Sequence, residues 1–162
     1  MRLKFWLGTV GVLLIAGTTT AEAQVRFAPQ VSFASETDFG IGGRANFNLT
    51  SLFKTPGFFG IAEFNYFFPS GPVNYWEING NLGYIIPGAH KVAHPYLGAG
   101  LNIGHASADC GGFTGGCSST DAGVNLLGGV NFHTRTKLTP YLEARIQLGH
   151  GDQFVATGGI YF

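Results

Sequence analysis

The sequence predicts an all-β protein, an eight-stranded antiparallel up-and-down transmembrane β-barrel that follows a cleaved signal peptide. Composition is the first observation behind this. Charged side chains make up 11% of the 162 residues, against 45% hydrophobic and 14% aromatic, whereas an ordinary soluble domain carries about 25% charge. There is too little charge to cover a normal water-facing surface, and far too much apolar surface for a disordered chain. The second observation is a period of two along most of the chain, the alternation of extended strands. The third is that the connectors between strands alternate in charge.

A leader is expected ahead of the fold. Arg2 and Lys4 precede an apolar stretch from Phe5 to Gly17, and Ala21-Glu22-Ala23 offers small residues where a signal peptidase reads. Cleavage is expected after Ala23, giving a signal peptide over 1–23 and one barrel domain over 24–162. The stretch is shorter than the roughly 20 residues of a membrane helix. The first cysteine is Cys110, which argues against a lipoprotein.

Eight alternating segments follow: Val25 to Ser35, Phe39 to Leu49, Phe58 to Phe68, Asn74 to Ile86, His94 to His105, Ala122 to His133, Leu138 to Gly149 and Gln153 to Phe162. In the seventh, Tyr141, Glu143, Arg145 and Gln147 share one face, and Leu142, Ala144, Ile146 and Leu148 share the other. The fourth sets Glu77, Asn79 and Asn81 against Trp76, Ile78, Leu82 and Tyr84. Arg44, Asn46 and Asn48 alternate with Ala45, Phe47 and Leu49 in the second, and Glu63 and Asn65 with Ala62, Phe64 and Tyr66 in the third. Each strand is therefore expected to have one polar and one apolar face.

The even connectors hold Lys54, Lys91, Arg135 and Lys137. The odd ones hold Glu36, Asp38, Asp109, Asp121 and Asp152, with Ser70 to Val73 uncharged. Up-and-down topology places the two sets on opposite rims. Aromatics near the strand ends, Phe33, Phe39, Phe68, Tyr75 and Trp76 at one rim and Phe58, Tyr84, Tyr96, Phe132, Tyr141 and Phe162 at the other, are expected to form interfacial girdles.

Composition also decides which face points inward. The polar positions carry Asn, Gly, Gln and a few charges instead of the Lys, Glu and Thr of a solvated sheet. Eight strands enclose a lumen only wide enough for side chains, which suits Gly98, Gly100, Asn102, Gly129 and Gly159. The apolar face must then meet lipid. Closure is required because each unpaired backbone group in hydrocarbon costs several kcal/mol.

With a terminal Ile160-Tyr161-Phe162, the mature chain resembles the small outer-membrane β-barrel proteins of Gram-negative-type bacteria, the group of OmpA-like, OmpX-like and opacity-type barrels. The resemblance implies residence in the cell outer membrane among lipid and lipopolysaccharide. It also implies that Phe162 is the signal read by the barrel assembly machinery. A monomer without a cofactor is expected, and the zero net charge offers nothing to recruit nucleic acid.

Arg44, Glu63, Glu77, Glu143 and Arg145 fall on the inner face and must neutralise one another in a hydrogen-bonded plug or be hydrated. Cys110 and Cys117 flank a glycine-rich stretch in the longest connector, Ala106 to Asp121, and read as a disulfide in an exported protein. A zinc site with His105 would be an incomplete ligand set. Gly40-Ile41-Gly42-Gly43-Arg44-Ala45 resembles a dinucleotide fingerprint, but no helix follows it.

His105-Ala106-Ser107 with Asp121 is similar to the His-x-Ser pair and acid of outer-membrane lipid A deacylases, although no oxyanion donor can be named. The expected function is non-enzymatic, a structural or loop-display role with an external ligand left unnamed. The alternatives are an acyl hydrolase acting on lipid A through Ser107 and His105, or a narrow channel.

Overall fold

The computed structural model describes residues 25–88, 92–108, 117–149 and 152–162. The expected signal peptide lies outside them. Eight strands, β1 (Val25–Ala34), β2 (Asp38–Asn48), β3 (Phe58–Phe68), β4 (Val73–Ile85), β5 (Ala93–Ala108), β6 (Cys117–Phe132), β7 (Thr139–Gly149) and β8 (Gln153–Tyr161), close in chain order into one barrel. Every neighbour pairs antiparallel. β8 returns to β1 through the run from Gln30↔Gly159 to Ala34↔Val155, so no sheet edge is left along the shared wall.

Alternation along each strand separates two environments. Leu97, Leu101, Leu142 and Phe33 are 60%, 66%, 60% and 59% exposed on the outer wall, whereas Arg44, Glu63, Glu77, Glu143 and Arg145 are buried inside. Apolar residues outside and charge inside is the reverse of a soluble barrel, and it makes the wall a surface for lipid. No helix among the described residues is long and apolar enough to cross a membrane.

The inner face is less uniform than the sequence suggests. Phe59, Ile61 and Leu127 point inward and pack with Tyr96 toward the basic rim, and Ala34, Phe67 and Val155 pack together toward the acidic rim. With Ala28, Tyr141 and Tyr161 forming a third such cluster, the polar layer is flanked by apolar packing toward both rims. An inward Phe is tolerated where the lumen has no polar partner to offer, because a dry apolar contact leaves nothing unsatisfied.

Tyr96 and Tyr141 also correct the girdle expectation, since both are buried in the lumen, and Tyr75 lines the inner side as well. Glycines opposite the first two make this fit. A Cβ on Gly129 would stand 2.5 Å from the Tyr96 ring, and one on Gly159 would stand 2.7 Å from the Tyr141 ring. The outer rings Phe33, Phe39 and Phe68 do form a contiguous strip near the acidic rim.

The connectors differ from expectation in two places. β5 and β6 continue in register from His105↔Thr120 to Ala108↔Cys117, so the connector expected from Ala106 to Asp121 shrinks to 109–116. Its flanks of Ala, Ser and Thr carry little hydrophobic contrast, and backbone pairing alone extends the strands. A short helix, α1 (Thr50–Phe53), forms between β2 and β3 and ends at Lys54 with φ of 53°.

On the opposite rim Asp38 adopts φ of 59°, a conformation its short polar side chain tolerates. Its Oδ2 accepts hydrogen bonds from the Ser70 backbone N–H and hydroxyl at 3.0 Å. Two neighbouring turns are tied together in this way.

Candidate functional site

Five charged side chains from four strands meet in the middle of the lumen. Arg44 projects from β2, Glu63 from β3, Glu77 from β4, and Glu143 and Arg145 from β7. Each arrives there by strand parity, but β7 stands across the lumen from β3 and β4, so the contacts bridge opposite walls. The result is a linear chain of alternating sign. Arg44 donates to both oxygens of Glu143 at 2.9 and 2.7 Å and forms an ion pair with Glu63 at 2.6 Å. Arg145 donates to the other Glu63 oxygen at 2.6 Å, and its second terminal nitrogen meets Glu77.

Three carboxylates face two guanidiniums, which leaves one surplus negative charge if all are ionised. The ends of the chain are acids, and each is capped by neutral donors. Tyr96 donates its hydroxyl to Glu143 at 2.9 Å. Glu77 accepts from Asn65 at 3.1 Å, Asn79 at 3.0 Å and Gln147 at 2.7 Å. Such donors stabilise an anion without adding positive charge. The Arg44 guanidinium also lies 4.3 Å over the Tyr141 ring, a cation–π contact.

Further neutral groups extend the layer. Tyr141 donates to Gln30 at 2.5 Å, and Gln30 donates to Asn65 at 2.7 Å. Asn125 donates to Asn79 and Asn81 at 2.9 and 2.8 Å, and Ser32 pairs with Thr157 at 2.9 Å. A few polar atoms are left over. Arg44 Nε, Arg145 Nε and Asn102 Oδ1 have no hydrogen-bond partner among the described residues. Sequence reasoning missed Gln30, Tyr96 and Tyr141. Parity held the signal, because Tyr141 shares a face with Glu143, and Tyr96 shares one with Asn102.

The outer-rim constellation is not assembled. His105 and Ser107 lie on the outer side of β5, where the His105 ring stacks on Trp76 at 5.2 Å and its Nδ1 meets the Thr120 hydroxyl at 2.8 Å. Asp121 pairs in register with inward-facing Gly104. It lines a small inner cavity of about 40 Å³ with Tyr75 and Gln147 and accepts from Ser119 at 2.8 Å. The wall of the barrel therefore stands between the acid and the His-x-Ser pair. No group of three or more metal-ligating side chains occurs among the described residues.

Cys117 opens β6, and no free cysteine occurs among the described residues. Its expected partner Cys110 lies outside them. Phe162 is exposed, and its backbone N–H donates to the Phe27 carbonyl at 3.1 Å, which holds the last residue against β1.

No family model and no curated protein matches the chain. Solved structures do. The N-terminal β-barrel domain of Pseudomonas aeruginosa OprF superposes with a TM-score of 0.65 at 14% identity, over 85% of this chain and 95% of that one. Neisserial surface protein A gives 0.57 at 17% identity, over 85% and 91%. Ail, the attachment invasion locus protein of Yersinia pestis, gives 0.50 at 12% identity, again over 85% and 91%. At such identities the likeness is one of fold, and the fold is that of the small eight-stranded outer-membrane barrels.

Proposed function

We propose that this chain is a non-enzymatic outer-membrane β-barrel protein with a structural or surface-interaction role, its lumen plugged by its own side chains. The observation that carries the reading is the buried Glu143–Arg44–Glu63–Arg145–Glu77 chain bracing opposite walls inside a wall whose outer face is apolar. A lumen filled in this way leaves the rims as the surfaces on which other molecules can act. At the acidic rim the connectors 35–37, 69–72 and 150–152 are short, so surface interaction would fall mainly to the β5–β6 hairpin.

In this reading residues 1–23 are a secretion signal and 24–162 the barrel. A Cys110–Cys117 disulfide closes the hairpin tip, and Phe162 is read by the assembly machinery. The protein stands as a monomer among lipid and lipopolysaccharide. Two of the proteins with this fold are a Neisserial surface protein and an attachment invasion locus protein, which is in keeping with a surface role. The hydrolase alternative has no support from a geometry that separates Asp121 from His105 and Ser107.

Three measurements on the full chain test the proposal. Unboiled and boiled samples should migrate differently on a gel, reconstituted protein should leave a planar bilayer without steady conductance, and lipid A mass spectra should be the same with and without the protein. Recovery in the soluble periplasmic fraction would overturn the location. Steady conductance would promote the channel, and a deacylated product would promote the hydrolase.

A further inference from the structure

The barrel mouth at the basic rim holds a second polar space, distinct from the mid-lumen layer. It is a vestibule of about 210 Å³ whose lining includes Arg26, Asn46, Asn131, Tyr161, Phe59 and Ile85. Arg26 and Asn46 are register partners on β1 and β2. Both take the inward parity of Ala28 and Arg44, so they stand side by side inside the mouth. Arg26 lies 4.9 Å over the Tyr161 ring. Unlike Arg44 and Arg145, it has no ion-pair partner among the described residues. Asn131 holds an acceptor in reserve: its Oδ1 is buried behind the lining without a hydrogen-bond partner among the described residues, and a turn of the side-chain amide would bring it into the space.

The surroundings reinforce the sign. Lys54, Arg135 and Lys137 lie on the same rim. The described aspartates and glutamates are elsewhere: Glu36, Asp38, Asp121 and Asp152 toward the other rim, and Glu63, Glu77 and Glu143 in the interior. An arginine aimed into the mouth with no aspartate or glutamate side chain beside it is a ready partner for an anion. Its planar fork takes a carboxylate or phosphate through two parallel hydrogen bonds.

We propose that this vestibule binds a small hydroxylated anion. Its phosphate or carboxylate lies on the Arg26 guanidinium, and a hydroxyl donates to Asn131 Oδ1 once the amide turns into the space. Tyr161 and Phe59 supply apolar walls, and Asn46 offers a further amide. A space of about 210 Å³ suits a small molecule of the size of glycerol phosphate. That chemistry can come from a free solute or from the headgroup of an anionic lipid folded over the rim.

The full chain in an uncharged detergent is titrated with sn-glycerol 3-phosphate, inorganic phosphate and glycerol, and followed by calorimetry and by the side-chain amide resonances of Asn131. Glycerol 3-phosphate should bind at least fivefold more tightly than either fragment and should move the Asn131 signal. Arg26→Gln should weaken it at least tenfold with the heat-modifiable barrel intact, and Asn131→Leu should abolish the preference over inorganic phosphate. Reconstitution in phosphatidylglycerol vesicles, compared with phosphatidylcholine, separates the sources: block by the former identifies the headgroup, and no block identifies the solute. Equal affinity in Arg26→Gln, or an unmoved Asn131 resonance in the unaltered protein, overturns the site.

Discussion

The centre of the lumen and the β5–β6 hairpin are built from the same two-residue repeat, yet they differ in where their polar partners come from. In the centre, Arg145 reaches Glu63 and Glu77 across 82 and 68 residues of sequence, and Arg44 reaches Glu143 across 99. In the hairpin, His105 meets Thr120 across 15 residues and Ser119 meets Asp121 across 2. Long-range partners exist only when the barrel is closed, whereas local ones need only two paired strands. Damage to the centre should therefore be felt by the whole barrel, and damage to the hairpin should stay where it is made.

The largest effect should come from Arg145→Leu. It leaves Glu63 and Glu77 without their shared cation, and breaking a buried pair in this way costs about 3 to 5 kcal/mol. Denaturant unfolding in detergent should show that loss, or bilayer recordings a new hydrated path. Unchanged unfolding with unchanged conductance would show that Arg145 is freely solvated and would erase the contrast with the hairpin.

Charge counting sharpens the same comparison. Glu143→Gln removes the surplus negative charge and keeps a hydrogen-bonding side chain, so it should cost clearly less than Arg145→Leu in the same assay. Equal costs would mean that the network responds to any lost contact and not to its charge balance. Tyr96→Phe comes next. It removes the hydroxyl that caps Glu143, a hydrogen bond to a charged group worth about 1.5 to 3 kcal/mol, and leaves the ring packing against Phe59.

The hairpin changes should be smaller and local. Cys110→Ser should raise protease nicking within 106–121 while the heat-modifiable barrel persists. Collapse of the barrel in that variant would show that the hairpin is coupled to closure after all. The smallest effect is expected from Ser107→Ala, an outer-wall change worth less than about 0.5 kcal/mol. Lipid A composition should not alter, and a deacylated product that disappears in this variant would reverse the functional reading.

Much of this protein is determined by its sequence alone. Alternation from Tyr141 to Leu148 sets the strand and its two faces, because a period of two has only one extended solution. The low charge and the apolar outer set assign those faces to lumen and lipid. Connector charges order the strands up and down. The five lumenal charges could be named for the same reason, since polarity at a known parity is a local property.

Tertiary closure decided the rest. Sequence could place Arg44 and Glu143 on inner faces but not against each other, because that contact depends on how far the sheet curls before β8 meets β1. Tyr96 and Tyr141 could be rim or lumen residues until Gly129 and Gly159 stood beside them. His105, Ser107 and Asp121 are near neighbours in register, and only the wall between them shows that they do not share a site. Faces are set one strand at a time by hydrophobic patterning, whereas partners across a lumen are set by the geometry of eight strands at once.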